Sequence, residues 1–188
     1  MASVAREGSL LPQVSVPCLE DVSKDYILRE TQIRCWIEQA LDVKFECLDL
    51  SEVLHSGVYL CRLMLAIEKG SVPRIHEQAA DYLYRENIDF FIQAMEEYAV
   101  PVRFAAPDLL NKRNMKLVLE SLLKLSELAT ERRFRVQLPP ISSLSLPSLD
   151  SLTPSHKRMV QNIVRFSKSR FTPIVPPRSK HQSNFWLF

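Results

Sequence analysis

Only three glycines occur among 188 residues, and no phosphate-binding glycine loop, Gly-x-Ser-x-Gly turn or dinucleotide fingerprint can be assembled from them. Tight backbone cradles for phosphate are therefore not expected. The four cysteines, Cys18, Cys35, Cys47 and Cys61, contain no Cys-x-x-Cys pair, and His55, His76, His156 and His181 are scattered. Neither set has zinc-motif spacing, so no metal and no other cofactor is expected. The thiols read as reduced, with Cys35 and Cys61 on apolar helix faces. No apolar run approaches the roughly 18 residues needed to span a bilayer. The first eleven residues carry Arg6 and Glu7 and lack the apolar stretch of a secretory signal, which predicts a cytoplasmic chain. His-Glu-x-x-His is also missing, and Glu96-Glu97 reads as a solvated helix face. A protein that is not an enzyme is expected.

What is present is helical periodicity. Hydrophobic residues make up 46% of the chain. A first helix is predicted over 24–41, with Ser23 as N-cap and Ile33, Trp36, Ile37, Ala40 and Leu41 as its buried stripe. After a connection at 42–48, Asp49 and Glu52 form a capping-box-like start. A second helix then runs through Leu50–Leu65, apolar over much of its circumference and therefore central. Gly57 sits in the middle of that pattern, where glycine costs about 1 kcal/mol against alanine. A neighbouring helix crossing close by would account for it. Gly70 and Pro73 end this region. Residues 71–84 read as loop with a helical turn at 76–80. A third helix covers 85–98, with Ile88, Phe91, Ile92, Met95 and Tyr98 inward and Val100-Pro101 as its stop. A short turn at 108–110 precedes a fourth helix over 114–130. No sustained two-residue alternation and no hairpin dipeptide argues for strands. The expected fold class is all-α: a compact bundle of four main helices plus short helical turns.

Charge divides the chain. Residues 24–133 hold 15 Lys/Arg and 18 Asp/Glu, whereas residues 134–188 hold eight Lys/Arg and one acid, Asp150. A mildly acidic body thus carries a basic tail, which hints at an anionic partner for the tail. The expected organisation is an irregular segment at 1–23, a helical domain at 24–133, a Ser/Pro/Leu-rich linker at 134–154 and a basic tail at 155–188. A short amphipathic helix is predicted near 155–170, capped by Ser155. Its alternatives are packing back on the domain or disorder. Its cations Lys157, Arg158, Arg165, Lys168 and Arg170 are the tail's docking candidates. Phe185-Trp186-Leu187-Phe188 ends the chain as an apolar cluster. The acidic body opposes phosphate attraction, so no nucleic acid is expected.

Four motifs in order resemble the calponin homology (CH) domain over about residues 26–133. They are Cys35-Trp36-Ile37; Leu54 to Leu63 around Gly57-Val58; Glu86-Asn87-Ile88-Asp89-Phe90-Phe91 followed by Val100-Pro101; and Asp108-Leu109, Asn114, Val118-Leu119, Leu122 and Leu125. Val72-Pro73-Arg74-Ile75 and Tyr84 to Ile88 are most similar to the IQGAP-type branch. Ser56 and Ala99 depart from it: the family often has an acidic residue or Asn at the first position and usually glycine at the second. The resemblance implies a single CH domain whose core signature is Trp36, Gly57, Asn87, Phe91 and Leu122. It implies a cytoskeleton-associated binding module for F-actin or another cytoskeletal or signalling protein. Actin contacts carried over by position fall on exposed Arg34 and Glu38 of the first helix and on Lys112, Arg113, Lys116 and Lys124 near the last. The alternatives are a signalling adaptor that docks a protein or an anionic membrane through the basic tail, or a microtubule-binding module.

Overall fold

Side-chain caps start three of the helices, and glycine, proline and backbone turns bound others. The computed structural model describes residues 19–145, 147 and 151–169. Its helices are α1 (Leu19–Leu41), α2 (Leu50–Leu54), α3 (Val58–Ile67), α4 (Asp81–Glu97), α5 (Ala106–Leu110), α6 (Met115–Glu131) and α7 (Pro154–Ser169), with a 3-10 turn at Ile141–Ser143. No strand occurs among the described residues. Cys18, Arg170 and the terminal Phe185–Phe188 cluster lie outside them. Helix α1 starts at Leu19, so Ser23 lies inside it and is not its cap. Pro17 is the last helix breaker before this point, and nothing between it and Lys24 opposes the helix.

The predicted second helix is two helices. Asp49 caps α2 by accepting the Ser51 N–H at 3.0 Å. Glu52 does not complete a capping box; its carboxylate pairs with Lys112 instead. The run breaks at Gly57, which takes a left-handed conformation at φ 72° and serves as the N-cap of α3. A Cβ there would lie 2.7 Å from the Asn87 Cβ and 3.0 Å from the Ile88 nitrogen of α4. The expected close crossing is present, but the glycine is required for its positive φ as well.

Helix α4 begins at Asp81, four residues before the predicted start, and 76–80 contains no helical turn. Asn87 explains why. Its Oδ1 accepts the His76 N–H at 2.9 Å, and its Nδ2 donates to the His76 carbonyl at 2.8 Å and the Ser56 carbonyl at 2.9 Å. These bonds hold the connection away from helical geometry and tie it to the α2–α3 break.

The C-terminus of α4 closes with the N–H of Ala99 on the Glu96 carbonyl and that of Val100 on the Met95 carbonyl, both at 2.9 Å. This is the Schellman arrangement, whose pivot residue is left-handed. Ala99 is that pivot, at φ 65°, and is solvent-exposed. A side chain is disfavoured there, which is the reason for glycine at this position in the sequences it resembles. Replacing Ala99 with Gly is expected to raise stability by about 0.5–1 kcal/mol, read as a higher urea midpoint at constant slope. A lowered midpoint would mean that the pivot is not strained.

Helix α3 packs mainly on α4, and α1 lies against α3, α6 and α7. Trp36, Phe91 and Leu122 are fully buried in the core between them. Beyond α6 the chain runs back along α1. The Trp36 indole N–H donates to the Val136 carbonyl at 3.2 Å, Gln32 Nε2 to the Pro139 carbonyl at 2.8 Å and Arg135 to the Ala40 carbonyl at 3.2 Å. Helix α7 follows, with Pro154 at its first turn and the Thr153 hydroxyl, not Ser155, accepting the His156 N–H at 3.2 Å. Its Met159, Val160 and Val164 are buried. At about 1.5–3 kcal/mol per fully buried apolar side chain, these contacts dock the helix onto the body.

Candidate docking surface and a buried polar junction

Two kinds of polar site emerge, one outward and one buried. The outward one is the corner where α5 leads into α6. The Asn114 side chain accepts the Leu117 N–H at 3.2 Å and starts α6, which leaves Arg113 and Lys116 exposed beside the cap. Neither has an ion-pair partner among the described residues. Lys112 is less free: it is only 26% exposed and pairs with Glu52. Lys124, farther along α6, pairs with Glu127 at 2.7 Å.

The two candidates on α1 are not outward-facing. Glu38 is 6% exposed; its Oε1 accepts the Phe45 N–H at 2.9 Å and its Oε2 meets Lys44 at 3.2 Å. Arg34 is 13% exposed and lies 3.9 Å from the same carboxylate. The expectation that both are exposed is corrected: Glu38 is spent on ordering the chain after α1, and Arg34 packs beside it. On α7, Arg158 and Arg165 are exposed and Lys157 is half-buried. The side chain of Lys168 and all of Arg170 fall outside the described residues. The bundle therefore gathers Lys112, Arg113 and Lys116 at one corner, with Lys124 along the same helix as Lys116.

The core signature is structural throughout. Asn87 is fully buried and pins two carbonyls and an amide. The Cys61 thiol lies 3.1 Å from the Asn87 carbonyl, to which it donates, and burial pushes its pKa up to about 12. It is an inert thiol.

The buried polar site joins α1, the turn before α2, and α7. The Glu30 carboxylate accepts the Leu50 N–H at 3.1 Å through Oε1, and its Oε2 lies 2.7 Å from His156 Nε2. Burial raises the Glu30 pKa, and the contact with His156 only partly opposes this. Burial alone would lower the His156 pKa, but the hydrogen bond and charge of Glu30 outweigh it and hold the imidazole above its ordinary value. Both shifts favour a proton held between the two groups. Asp49 adds a second buried carboxylate, with Lys112 Nζ 3.8 Å from its Oδ2. Burial and then the charges of Glu30 and Asp49 raise the pKa of Tyr26. Sequence reasoning missed this junction. Glu30 and His156 are 126 positions apart. The available signal was a lone histidine on the apolar side of an amphipathic helix, and it does not name its partner.

A family model described as "Calponin homology (CH) domain" matches residues 28–131. Calponin-2 of Mus musculus is 38% identical over 100 residues, which cover 52% of this chain and 32% of that protein. Myophilin of Echinococcus granulosus is 35% identical over 101 residues, covering 52% of this chain and 53% of that protein. The match thus spans about a third of the length of calponin-2. Among solved structures, the calponin-homology domain of Rng2 from Schizosaccharomyces pombe superposes with a TM-score of 0.59 at 21% identity, covering 78% of this chain and 90% of that one. A calponin-homology domain of an IQGAP protein from the same organism gives 0.58 at 19% identity, covering 82% and 94%. At such identities the superpositions speak for the all-α fold. With four motifs in register, the Gly57–Asn87 crossing formed and more than half of its length matched by the family model, the chain belongs to the calponin homology domain family.

Proposed function

We propose that this CH domain is a non-enzymatic cytoskeletal binding module that docks on F-actin through the α5–α6 corner. The observation that carries this reading is the exposure of Arg113 and Lys116 side by side, without ion-pair partners among the described residues, at the start of a long helix. The CH resemblance supports an actin partner, and an acidic filament surface matches these cations. Lys112 and Lys124 contribute less, because Glu52 and Glu127 already neutralise them. Arg34 and Glu38 act indirectly, by ordering the turn after α1.

Co-sedimentation of the full chain with F-actin tests this. Pelleting is expected at low salt and should decline as salt rises. The double variant Arg113→Glu/Lys116→Glu should raise the apparent Kd by about tenfold, at roughly 1 kcal/mol or less for each exposed contact. A chain that stays in the supernatant at low salt, or a double variant that pellets like the parent, ends the proposal. Deletion of 155–188 is a poor probe, because it strips Met159 and Val160 from the core. Charge reversal of Arg158 and Arg165 tests the tail without that damage.

The exposed Arg158 and Arg165 favour a second reading, in which α7 meets an anionic membrane or signalling partner. Its apolar face is committed to α1, so the contact is one of charge and not of insertion. Flotation with anionic vesicles separates the readings: binding lost in Arg158→Glu/Arg165→Glu belongs to α7.

A further inference from the structure

Two polar atoms at the α1–α2–α7 junction have no hydrogen-bond partner among the described residues: Asp49 Oδ2 and Tyr26 Oη. Buried polar groups without partners are rare in folded proteins and call for an explanation, an ion among them. These two border a cluster of ligand types. One ligand atom each from Glu30, Asp49 and His156 lies within 4.8 Å of the others, and the three residues are at most 2% exposed. They come from three separate places in the chain: α1, the turn before α2, and α7.

We propose that Glu30, Asp49 and His156 form a zinc site that bolts α7 to the helical core. The carboxylates are already aimed. Glu30 commits Oε1 to the Leu50 N–H, which leaves Oε2 facing His156 Nε2. Asp49 commits Oδ1 to the Ser51 N–H at 3.0 Å and the Ser51 hydroxyl at 2.5 Å, which leaves Oδ2 open. Outer contacts of this kind orient metal ligands. Lys112 is the competing cation. Its Nζ stays 3.8 Å from Asp49 Oδ2, too far to satisfy it, because the ammonium pairs with Glu52 at the surface.

The donor set selects the metal. Two carboxylates and a neutral imidazole carry a charge of −2, which a divalent ion cancels. One nitrogen and two oxygens with a fourth position suit four-coordinate zinc. Calcium needs about six to eight oxygens and magnesium keeps several waters, which this buried set does not provide. The buried Tyr26 hydroxyl, which has no hydrogen-bond partner among the described residues, is a fourth donor available in the chain. On binding, zinc replaces the proton held between Nε2 and Oε2, and that proton leaves to solvent. The site escapes motif spacing because its ligands stand at 30, 49 and 156 and not within one loop.

The test uses the full chain, stripped with EDTA and desalted. Zinc chloride should be retained at one ion per chain through gel filtration. At about a hundredfold excess over Kd it should raise Tm by roughly 5–10 °C, whereas magnesium should leave Tm unchanged. Asp49→Asn keeps an oxygen for the α2 cap but removes the charge, and His156→Ala removes the nitrogen. Each should weaken zinc binding by about a hundredfold or more. Lys112→Met removes the competing ammonium and should tighten it, which keeps the test decisive if both ligand variants unfold. Cobalt in place of zinc should give a spectrum without a thiolate charge-transfer band. No retained zinc, retention unchanged in Asp49→Asn, affinity unmoved by Lys112→Met, or a thiolate band from Cys35, Cys47 or Cys61 would each overturn the site and leave adventitious binding only.

Discussion

Gly57→Ala is expected to destabilise the domain by about 2–5 kcal/mol. Two penalties add. An alanine at φ 72° sits in the left-handed region, at about 1–2 kcal/mol. Its Cβ would then stand 2.7 Å from the Asn87 Cβ and 3.0 Å from the Ile88 backbone nitrogen. The neighbours are a helix backbone and a Cβ, not the free end of a flexible side chain, so α4 must shift as a body, at about 1–3 kcal/mol. Urea unfolding would show this as a fall in midpoint at near-constant slope. The second-site change Asn87→Ala should not restore stability, because alanine keeps the Cβ that clashes. A loss below about 1 kcal/mol in Gly57→Ala would mean that α3 and α4 do not cross here as described.

The next largest effect is expected for Asn87→Ala, about 2–4 kcal/mol. The side chain makes three hydrogen bonds: it accepts from the His76 N–H and donates to the His76 and Ser56 carbonyls. Alanine leaves all three backbone groups without their partner, and an orphaned buried polar group costs about 1–3 kcal/mol. The half-buried setting of His76 lets water recover part of that. Hydrogen exchange gives a local readout: the His76 amide should lose its protection first, while the α6 amides follow only the global stability. Asn87→Asp should be no better, because it removes both donors and places a charge in a fully buried position. If the His76 amide is unprotected in the parent protein, the side-chain bridge is absent.

These two residues also show what a single chain can reveal of its fold. Ile33, Trp36, Ile37 and Ala40 recur at helical spacing, and all four are fully or almost fully buried. Periodicity exposes such residues because a buried face repeats along a helix. Gly57 stands out because glycine is expensive inside a helix, but the expense alone does not distinguish a tight crossing from a left-handed break. The structure has both, and so the predicted single helix is α2 and α3. Ala99, Arg133, Asp42 and Lys112 carry the same positive φ without glycine. No residue type announces them, so these turns escape a reading based on glycine.

Charged residues were harder to place. A glutamate on a helix is by default at the surface. Glu30 and Glu38 break that rule because backbone N–H groups of Leu50 and Phe45, far from their own helical turns, need acceptors. Arg113 and Lys116 obey it. Local pattern cannot separate the two cases, since the deciding donor arrives from another part of the chain.

The tail divides in the same way. The amphipathic repeat of Met159, Val160, Ile163 and Val164 is visible at spacing of three and four, and α7 follows it. That its apolar side meets α1, and that His156 meets Glu30 there at 2.7 Å, depends on the backbone's return along Trp36 and Gln32. The sequence by itself determined the helical periodicity, the CH motifs and the scarcity of glycine, because each is a property of neighbours along the chain. Only the tertiary structure decided which charges are buried, which are free to bind, and that three distant ligands share one junction. Those outcomes depend on distances between segments that sequence spacing does not encode.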